Sequence, residues 1–301
     1  MKSIEVKAYA KLNLSLDVLG QIEGGYHALR MVMQSASLCD EVTLELNGSG
    51  EVMLETNFNF LPSDGRNIAV RAAQLFFREA GMEGAGAHIH IEKRIPVGAG
   101  LGGGSADAAA VLRGLNALTG AALTPEHLAE LGLRLGSDVP YCVGGGTMLA
   151  EGRGEALSPL PPLPDCGIVI CKPSFSLRTP DLFARIDARR SRIHPDTEGL
   201  TAALREGDLP GIARRMYNVF EDVLPPRCGE IGDIKRALLD AGALGAVMTG
   251  TGSAVFGIFG DADAAGAARG RLGERYSECF SAVPVPAHGT PASSRTPRNT
   301  R

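Results

Sequence analysis

The chain contains no tryptophan, and only 5% of its 301 residues are aromatic. Its six cysteines form no Cys-x-x-Cys pair, which removes the commonest zinc and redox spacings. No apolar run approaches the ~18 residues that cross a membrane, and the first residues lack a signal peptide's apolar core. The net charge is −4, with basic residues spread along the chain, so no nucleic-acid surface is indicated. We therefore expect a cytoplasmic protein with reduced, mostly buried thiols, bound to neither nucleic acid nor membrane.

Glycine, in contrast, is abundant, and five glycines fall between positions 98 and 104. They separate a strand-like run, 87–95, from a helix-like run that opens near Ser105, which we expect to cap that helix. A glycine-rich turn that enters a helix presents free backbone N–H groups and the positive end of the helix dipole. Both features suit a phosphate group, so the segment predicts a phosphate-binding loop.

Three kinds of phosphate loop compete for this segment. A Walker A loop requires a lysine after its last glycine, and here Ser105 follows Gly104 directly. The dinucleotide pattern G-x-G-x-x-G fits, but it requires a second strand, whereas two helical runs, 107–118 and 126–135, come next. The third pattern, Pro-x-x-x-Gly-Leu-Gly-x-x-x-Ala, holds a nucleotide without a loop lysine. It fits from Pro96 onward, and we favour it.

Three polar residues elsewhere have simple structural interpretations when each is taken alone. Lys11 and Asn13 share the polar face of a strand and could be solvated. Asp138 precedes Val139-Pro140 and could be the N-cap of a short helix. Beside a nucleotide loop, however, a carboxylate and a cation are what phosphoryl transfer to an alcohol requires. His88 and His90 lack further ligands at a suitable spacing, so we expect no metal bound by protein side chains.

The pattern of apolar and polar residues along the chain predicts a coarse architecture. Strand 4–19 has Leu12, Leu14, Leu16 and Val18 on one face, and 42–46 with 51–56 resembles a hairpin. An amphipathic helix covers 67–80. The Pro-rich stretch 159–164 is a candidate linker, which divides the chain into domains at 1–158 and 165–283. The remaining segment, 284–301, is rich in proline and arginine and is expected to be disordered.

Five motifs together resemble those of the GHMP small-molecule kinases, in the same order. They are Ala10-Lys11-Leu-Asn13-Leu, Gly25-Tyr26-His27, Pro96 to Ala106, Leu135-Gly-Ser-Asp138-Val-Pro140 and Met248-Thr-Gly-Thr-Gly-Ser253. The resemblance implies an α+β fold of two domains. The N-terminal domain would be of the ribosomal S5 domain 2 type and the C-terminal domain ferredoxin-like, with the active site in the cleft between them.

The resemblance also implies roles for individual residues. ATP would be bound by Asn67, near the adenine, and by Pro96, Val97, Gly98, Ala99, Gly100, Leu101, Gly102, Gly103, Gly104, Ser105 and Ala106. Asp138 would be the catalytic base and Lys11 the neighbouring catalytic cation. The substrate would be bound by Lys11, Asn13, Tyr26, His27, Asp138, Thr179 and Phe183. Tyr26 and Phe183 would stack on a cytosine whose edge His27 would bind, and 250–253 would close the phosphate side.

The resemblance also implies the reaction, which is ATP-dependent phosphorylation of the C2 hydroxyl of a methylerythritol that carries cytidine diphosphate, on a route to isoprenoids. ATP would be the co-substrate, with Mg²⁺ held mainly by its phosphates, and the protein would be a monomer or weak homodimer. Two alternatives stay open. The substrate could be another alcohol, such as mevalonate or homoserine, although Tyr26 and His27 favour a nucleobase. The chain could also be a non-catalytic nucleotide-binding module on the same fold.

Overall fold

The computed structural model describes residues 2–189 and 193–289. The strands are β1 (Ser3–Gln21), β2 (His27–Asn47), β3 (Val52–Thr56), β4 (Gly86–Glu92), β5 (Thr147–Glu151), β6 (Ala156–Pro159), β7 (Gly167–Lys172), β8 (Tyr217–Asn218), β9 (Gly245–Met248), β10 (Val255–Phe259), β11 (Glu278–Ala282) and β12 (Pro284–Val285). The helices are α1 (Ile68–Glu79), α2 (Gly103–Thr119), α3 (Pro125–Leu133), α4 (Val139–Gly144), α5 (Thr179–Asp187), α6 (Thr197–Glu206), α7 (Leu209–Arg215), α8 (Gly229–Asp240) and α9 (Ala262–Gly273). Short 3-10 helices cover Glu23–Gly25, Val219–Val223 and Pro226–Cys228.

The first sheet is built around two long antiparallel strands, β1 and β2. Its order is β3-β4-β2-β1-β8, and β5 and β12 also pair with β2. The predicted hairpin of 42–46 with 51–56 is wrong, because β3 pairs in parallel with β4, and β4 is the strand beside this end of β2. The reason is burial. β4 buries Ala87, Ile89 and Ile91, whereas β3 buries only Leu54 and takes the edge.

β1 is buried on both faces over its central part, so its polar residues are not solvated. Its pairing with β2 shifts by one residue between Asn13 and Ser15. Such an irregularity changes which way the following side chains point. Leu12 and Leu14 accordingly join one hydrophobic cluster, while Leu16 and Val18 join another. The prediction that all four share a face is therefore wrong.

The second sheet has the order β11-β7-β10-β9, and its neighbouring strands are antiparallel. Helices α8 and α9 contact this sheet. Four of its side chains (Ile168, Ile170, Phe256 and Ile258) share a buried cluster with Leu12 and Leu14 of β1. The Pro-rich stretch 159–164 is also docked, since Leu163 is buried in the same cluster and its N–H donates to Thr147. The two sheets are thus joined by a shared apolar core.

Helices α1 and α2 contact each other, and α2 packs against β1 and β2. This places the N-terminus of α2, where the glycine-rich loop ends, beside the middle of β1. None of the helices in the described parts of the chain is long and apolar enough to cross a membrane. The six cysteines are buried and free, as expected from their spacing.

A C-terminal segment returns to the first sheet. β12 pairs antiparallel with β2 at Ala36 and Ser35. Ala287 bridges Gly145, and the His288 N–H donates to the Gly144 carbonyl at 2.8 Å, at the end of α4. Residues 284–289 are therefore ordered, contrary to the prediction for 284–301, because backbone pairing on β2 compensates for a polar, proline-rich composition. The rest of that predicted tail, 290–301, lies outside the described residues, and the predicted domain bounds stay predictions.

Candidate active site

Lys11 lies in the middle of β1 with only 5% of its surface exposed. Its ammonium group donates to Asn13 Oδ1 at 2.8 Å and lies 3.7 Å from Asp138 Oδ2. A buried ammonium group needs such acceptors, because an unpaired charge away from water is unfavourable. The structure therefore brings together the two residues that the sequence assigned to catalysis.

Asn13 is fully buried, and its side-chain oxygen also accepts from the Gly250 N–H at 3.0 Å. The Asn13 N–H donates to Thr249 Oγ1 at 3.1 Å. Asn13 thus connects Lys11 to the 249–253 loop of the second sheet. These contacts make Asn13 a residue that positions Lys11, while its predicted contact with substrate stays a prediction.

Asp138 occupies the residue before α4, but its side chain makes no capping hydrogen bond. The N-cap interpretation holds for its position and is wrong for its side chain. About a third of that side chain, 35%, is exposed to the cavity that contains Lys11. In the following turn, burial raises the pKa of the Cys142 thiol well above its usual range, so this thiol stays protonated. Among these neighbours, the Asp138 carboxylate is the group able to accept a proton.

The glycine-rich loop is fixed to both sheets by backbone bonds. Lys11 N donates to the Leu101 carbonyl at 2.9 Å, and Ala254 N donates to the Ala99 carbonyl at 3.0 Å. Gly100 has a φ of +77°, and a Cβ at that position would lie 2.2 Å from the Thr249 carbonyl oxygen. Only glycine permits this approach. The loop is therefore a rigid part of the interface between the two sheets.

Helix α2 begins at Gly103, and the residue at the cap is Gly102 in the left-handed conformation. The predicted cap by Ser105 is therefore wrong, because Ser105 lies inside the first turn. The first-turn N–H groups have no acceptor within the helix. They point, with the helix dipole, toward the space in front of the loop, as a phosphate site requires.

Two neighbouring cavities share the loop residues Gly98, Gly100, Gly102 and Ser105. The larger, about 770 Å³, is lined by most of the predicted catalytic and substrate residues: Lys11, Asp138, Tyr26, His27, Thr179 and Phe183. The smaller, about 430 Å³, is lined by Asn67 and the loop from Pro96 to Ser105, whereas Ala106 is buried and lines neither cavity. Asn67 also caps α1, since its Oδ1 accepts from Ala69 N at 2.9 Å. The arrangement gives a two-chamber site with the glycine loop between the chambers.

The far end of the larger cavity holds the predicted base-binding residues. His27 Nε2 lies 2.8 Å from Asp187 Oδ1, and its ring stacks on Phe183 with centroids 4.4 Å apart. Tyr26 is 51% exposed, with the Arg153 guanidinium 4.6 Å above its ring. Phe183 is thus in contact with His27, and its predicted stacking on a base stays a prediction. Sequence reasoning missed Arg153 and Asp187, which carry no local pattern.

Thr179 opens α5 at the edge of the same cavity, and its hydroxyl lies 2.8 Å from that of Thr251. This contact ties the 249–253 loop to the helix that carries Phe183. The described residues contain no group of three or more His, Cys, Asp or Glu side chains arranged to hold a metal ion.

Comparison with known proteins identifies the family of this chain. The GHMP kinases N terminal domain matches residues 67–146, and the GHMP kinases C terminal domain matches 200–278. The 4-diphosphocytidyl-2-C-methyl-D-erythritol kinase of Alkaliphilus metalliredigens is 43% identical over 86% of this chain and 89% of its own length. That of Acetivibrio thermocellus is 43% identical over 93% of this chain and 98% of its own. The chain belongs to the 4-diphosphocytidyl-2-C-methyl-D-erythritol kinase family of GHMP kinases.

Solved structures agree with this assignment. A crystal structure of 4-(cytidine 5'-diphospho)-2C-methyl-D-erythritol kinase superimposes with a TM-score of 0.79 at 34% identity, over 93% of this chain and 99% of that one. A homoserine kinase from Cytophaga hutchinsonii superimposes with a TM-score of 0.74 at 22% identity, over 95% of this chain and 96% of its own, which supports the fold alone. The predicted GHMP kinase fold and the ATP-dependent kinase class are thereby confirmed.

Proposed function

We propose that this chain transfers the γ-phosphoryl group of ATP to the C2 hydroxyl of 4-diphosphocytidyl-2-C-methyl-D-erythritol. One observation carries the proposal: a single cavity contains the Lys11–Asp138 pair, one side of the glycine loop and the Tyr26–His27 end. An alcohol at the pair would face a phosphate on the loop. A base attached to the same substrate would reach the aromatic end.

The phosphates of ATP would be bound by the free N–H groups of the loop and of the first turn of α2. The adenine would enter the smaller cavity, where Asn67 lines the wall. Backbone donors fixed by contacts to both sheets need no rearrangement as charge develops, which is the most effective form of electrostatic stabilisation.

Asp138 would accept the proton of the C2 hydroxyl while the oxygen of that hydroxyl forms a bond to the γ-phosphorus. The bond from that phosphorus to the bridging oxygen breaks, and ADP leaves with the electron pair. Lys11, 3.7 Å from Asp138, would orient the hydroxyl and offset the negative charge of the reacting oxygens. Asn13 keeps Lys11 in place through its 2.8 Å bond.

Mg²⁺ would be held mainly by phosphate oxygens and water, where it neutralises phosphate charge. The loop supports this assignment, because it presents N–H donors, which bind phosphate oxygens, and no carboxylates, which would bind the metal ion. At the other end, Tyr26 would stack on the cytosine, and the His27 ring, oriented by Asp187, would meet the edge of the base through Nδ1.

The test is a comparison of alcohols with the purified chain and Mg-ATP. The panel contains the cytidine-bearing substrate, 2-C-methyl-D-erythritol 4-phosphate, mevalonate and homoserine. ADP release and ³¹P NMR should report one new phosphomonoester, formed from the cytidine-bearing compound alone. Equal turnover of another alcohol would contradict the substrate assignment, and ATP binding without any product would favour a non-catalytic module.

A further inference from the structure

A buried lysine lies directly behind the glycine loop, between two carboxylates. Lys93, just after β4, donates to Asp40 on β2 and to Asp107 on α2, the latter at 2.6 Å. The exposed fractions of the three side chains are 4%, 0% and 7%. This cluster takes no part in the chemistry described above, and the sequence pattern gave no sign of it.

The cluster is held from several sides. The Asn57 side chain accepts from Lys93 N at 2.9 Å and donates to the Lys93 carbonyl at 3.1 Å. Asp40 Oδ1 accepts from the N–H groups of Arg94 and Ile95. The ammonium group therefore has a fixed position rather than a flexible one.

That fixed position is where the smaller cavity meets the glycine loop. Lys93 and Asp107 line the smaller cavity together with the loop. A Cβ on Gly103, the first residue of α2, would lie 3.4 Å from Lys93 Nζ. The loop itself contains no lysine. Lys93 thus stands behind the helix N-terminus, where a positive charge adds to the field that attracts phosphate.

Asp107 is the member of the cluster whose protonation can change. Its Oδ1 is buried and has no hydrogen-bond partner in the described part of the chain. Burial, the largest cause, and the nearby Asp40 raise the pKa of Asp107 to about 8, against the opposing effect of Lys93. With Asp107 protonated, Lys93 and Asp40 sum to zero. With Asp107 ionised, the cluster carries −1.

Other charged or titratable groups near Asp107 do not change this balance at neutral pH. Cys142 on α4 interacts with it, but burial keeps that thiol protonated. Arg66, before α1, lines the same cavity and stays cationic. Neither of these two groups therefore changes its charge between pH 7 and pH 9.

We propose that Lys93 is the fixed cation of the nucleotide phosphate site, in place of a loop lysine, and that Asp107 sets the net charge behind the loop. The proposal rests on the proposed function, which places the ATP phosphates at this loop. As pH rises through about 8, Asp107 loses its proton and the cluster becomes negative, so ATP binding weakens. By linkage, bound ATP raises the pKa of Asp107 further.

The test compares ATP with adenosine, which lacks phosphates, by calorimetry at pH 7 and pH 9. For the unmodified chain, the Kd of ATP should rise about three- to tenfold at pH 9, while that of adenosine stays constant. Asp107→Asn should remove this rise. Lys93→Met combined with Asp107→Asn should weaken ATP about 10- to 100-fold relative to Asp107→Asn alone, with adenosine unchanged. Lys93→Arg in place of Lys93→Met, again combined with Asp107→Asn, should return the Kd of ATP to that of Asp107→Asn alone.

The control is a more exposed ion pair in the second sheet, Lys172 with Glu278 at 2.8 Å. Lys172→Met with Glu278→Gln should leave the Kd of ATP unchanged. A purely structural role for Lys93 would weaken ATP, adenosine and cytidine diphosphate alike and would overturn the proposal. A pH response that persists in Asp107→Asn would overturn the role of Asp107. If ATP fails to bind the unmodified chain, or binds with no sensitivity to Gly100→Ala in the loop, the proposed function fails instead.

Discussion

The two ends of the larger cavity are built differently. At the phosphate end, backbone amides and buried side chains are fixed by both sheets, and Asn13 and Lys11 are almost inaccessible to solvent. At the base end, Tyr26 is half exposed, with the Arg153 guanidinium over its ring. Catalysis requires charges that are already in place, whereas a base can order the aromatic side chains that receive it. Changes at the first end should therefore lower kcat or weaken ATP binding, and changes at the second should raise the KM for the cytidine-bearing substrate.

The largest effect is expected at the phosphate end, from a change at Asp138. Asp138→Asn should lower kcat about 10²- to 10⁴-fold, because an amide cannot accept the proton. The KM values for both substrates should change little. Since Asp138 makes no capping bond, the thermal midpoint should fall only slightly, through the weakened contact with Lys11. Steady-state kinetics and thermal melting check this, and a kcat above about a tenth of the unmodified value would contradict the role of Asp138 as the base.

The glycine loop offers a matched pair of substitutions. Gly100→Ala should raise the Kd of ATP by about tenfold or more, because its φ is +77° and the new Cβ would meet the Thr249 carbonyl at 2.2 Å. Gly104→Ala is the control, since its Cβ would make an ordinary 3.6 Å contact with Ile68. Calorimetric titration with ATP distinguishes the two. Equal binding by both variants would show that close docking of the loop is unimportant.

At the base end, Tyr26→Ala should raise the KM for the cytidine-bearing substrate about 5- to 150-fold, from loss of one stacking contact. The KM for ATP should stay constant. Because Tyr26 is 51% exposed, the thermal midpoint should move little. Phe60→Ala, at a 71% exposed aromatic side chain outside the cavity, is the control. A clear fall in melting temperature with an unchanged KM would mean that Tyr26 supports the fold instead.

The smallest effect should follow from Asp187→Ala. This change removes the 2.8 Å contact that orients His27, so we expect the KM for the cytidine-bearing substrate to rise about two- to tenfold. The value of kcat should be unaffected, because Asp187 lies at the base end. A fall in kcat with constant KM would contradict the separation of the two ends.

The phosphate end was largely predictable from the sequence, and the base end only in part. Lys11, Asp138 and the loop stand in short motifs in which the chemistry and the backbone requirement fall on adjacent residues. Asp187 lies 160 positions from its partner His27 and belongs to no motif, so only the folded chain brings the two together. The same applies to Lys93 and Asp40, which are 53 residues apart.

The elements of the fold also differ in how far the sequence predicts them. Amphipathic periodicity located α1 to within a residue at each end, because a helix is stabilised by contacts near in sequence. Strand pairing is a competition among distant segments, and patterning within β3 contains no information about β4. The shift in β1 between Asn13 and Ser15 is equally invisible in an alternating sequence.

The return of β12 to β2 has a consequence for how this enzyme could be divided. Residues 284–288 complete the sheet begun at residue 3 and bond the end of α4, the helix that follows Asp138. A fragment cut in the Pro-rich stretch 159–164 would lack β8 and β12 and leave part of β2 unpaired. During synthesis on the ribosome, the strands of the first sheet therefore emerge first, but its last strand, β12, emerges only after the second sheet. Helix α4 also gains its final contacts only at that point.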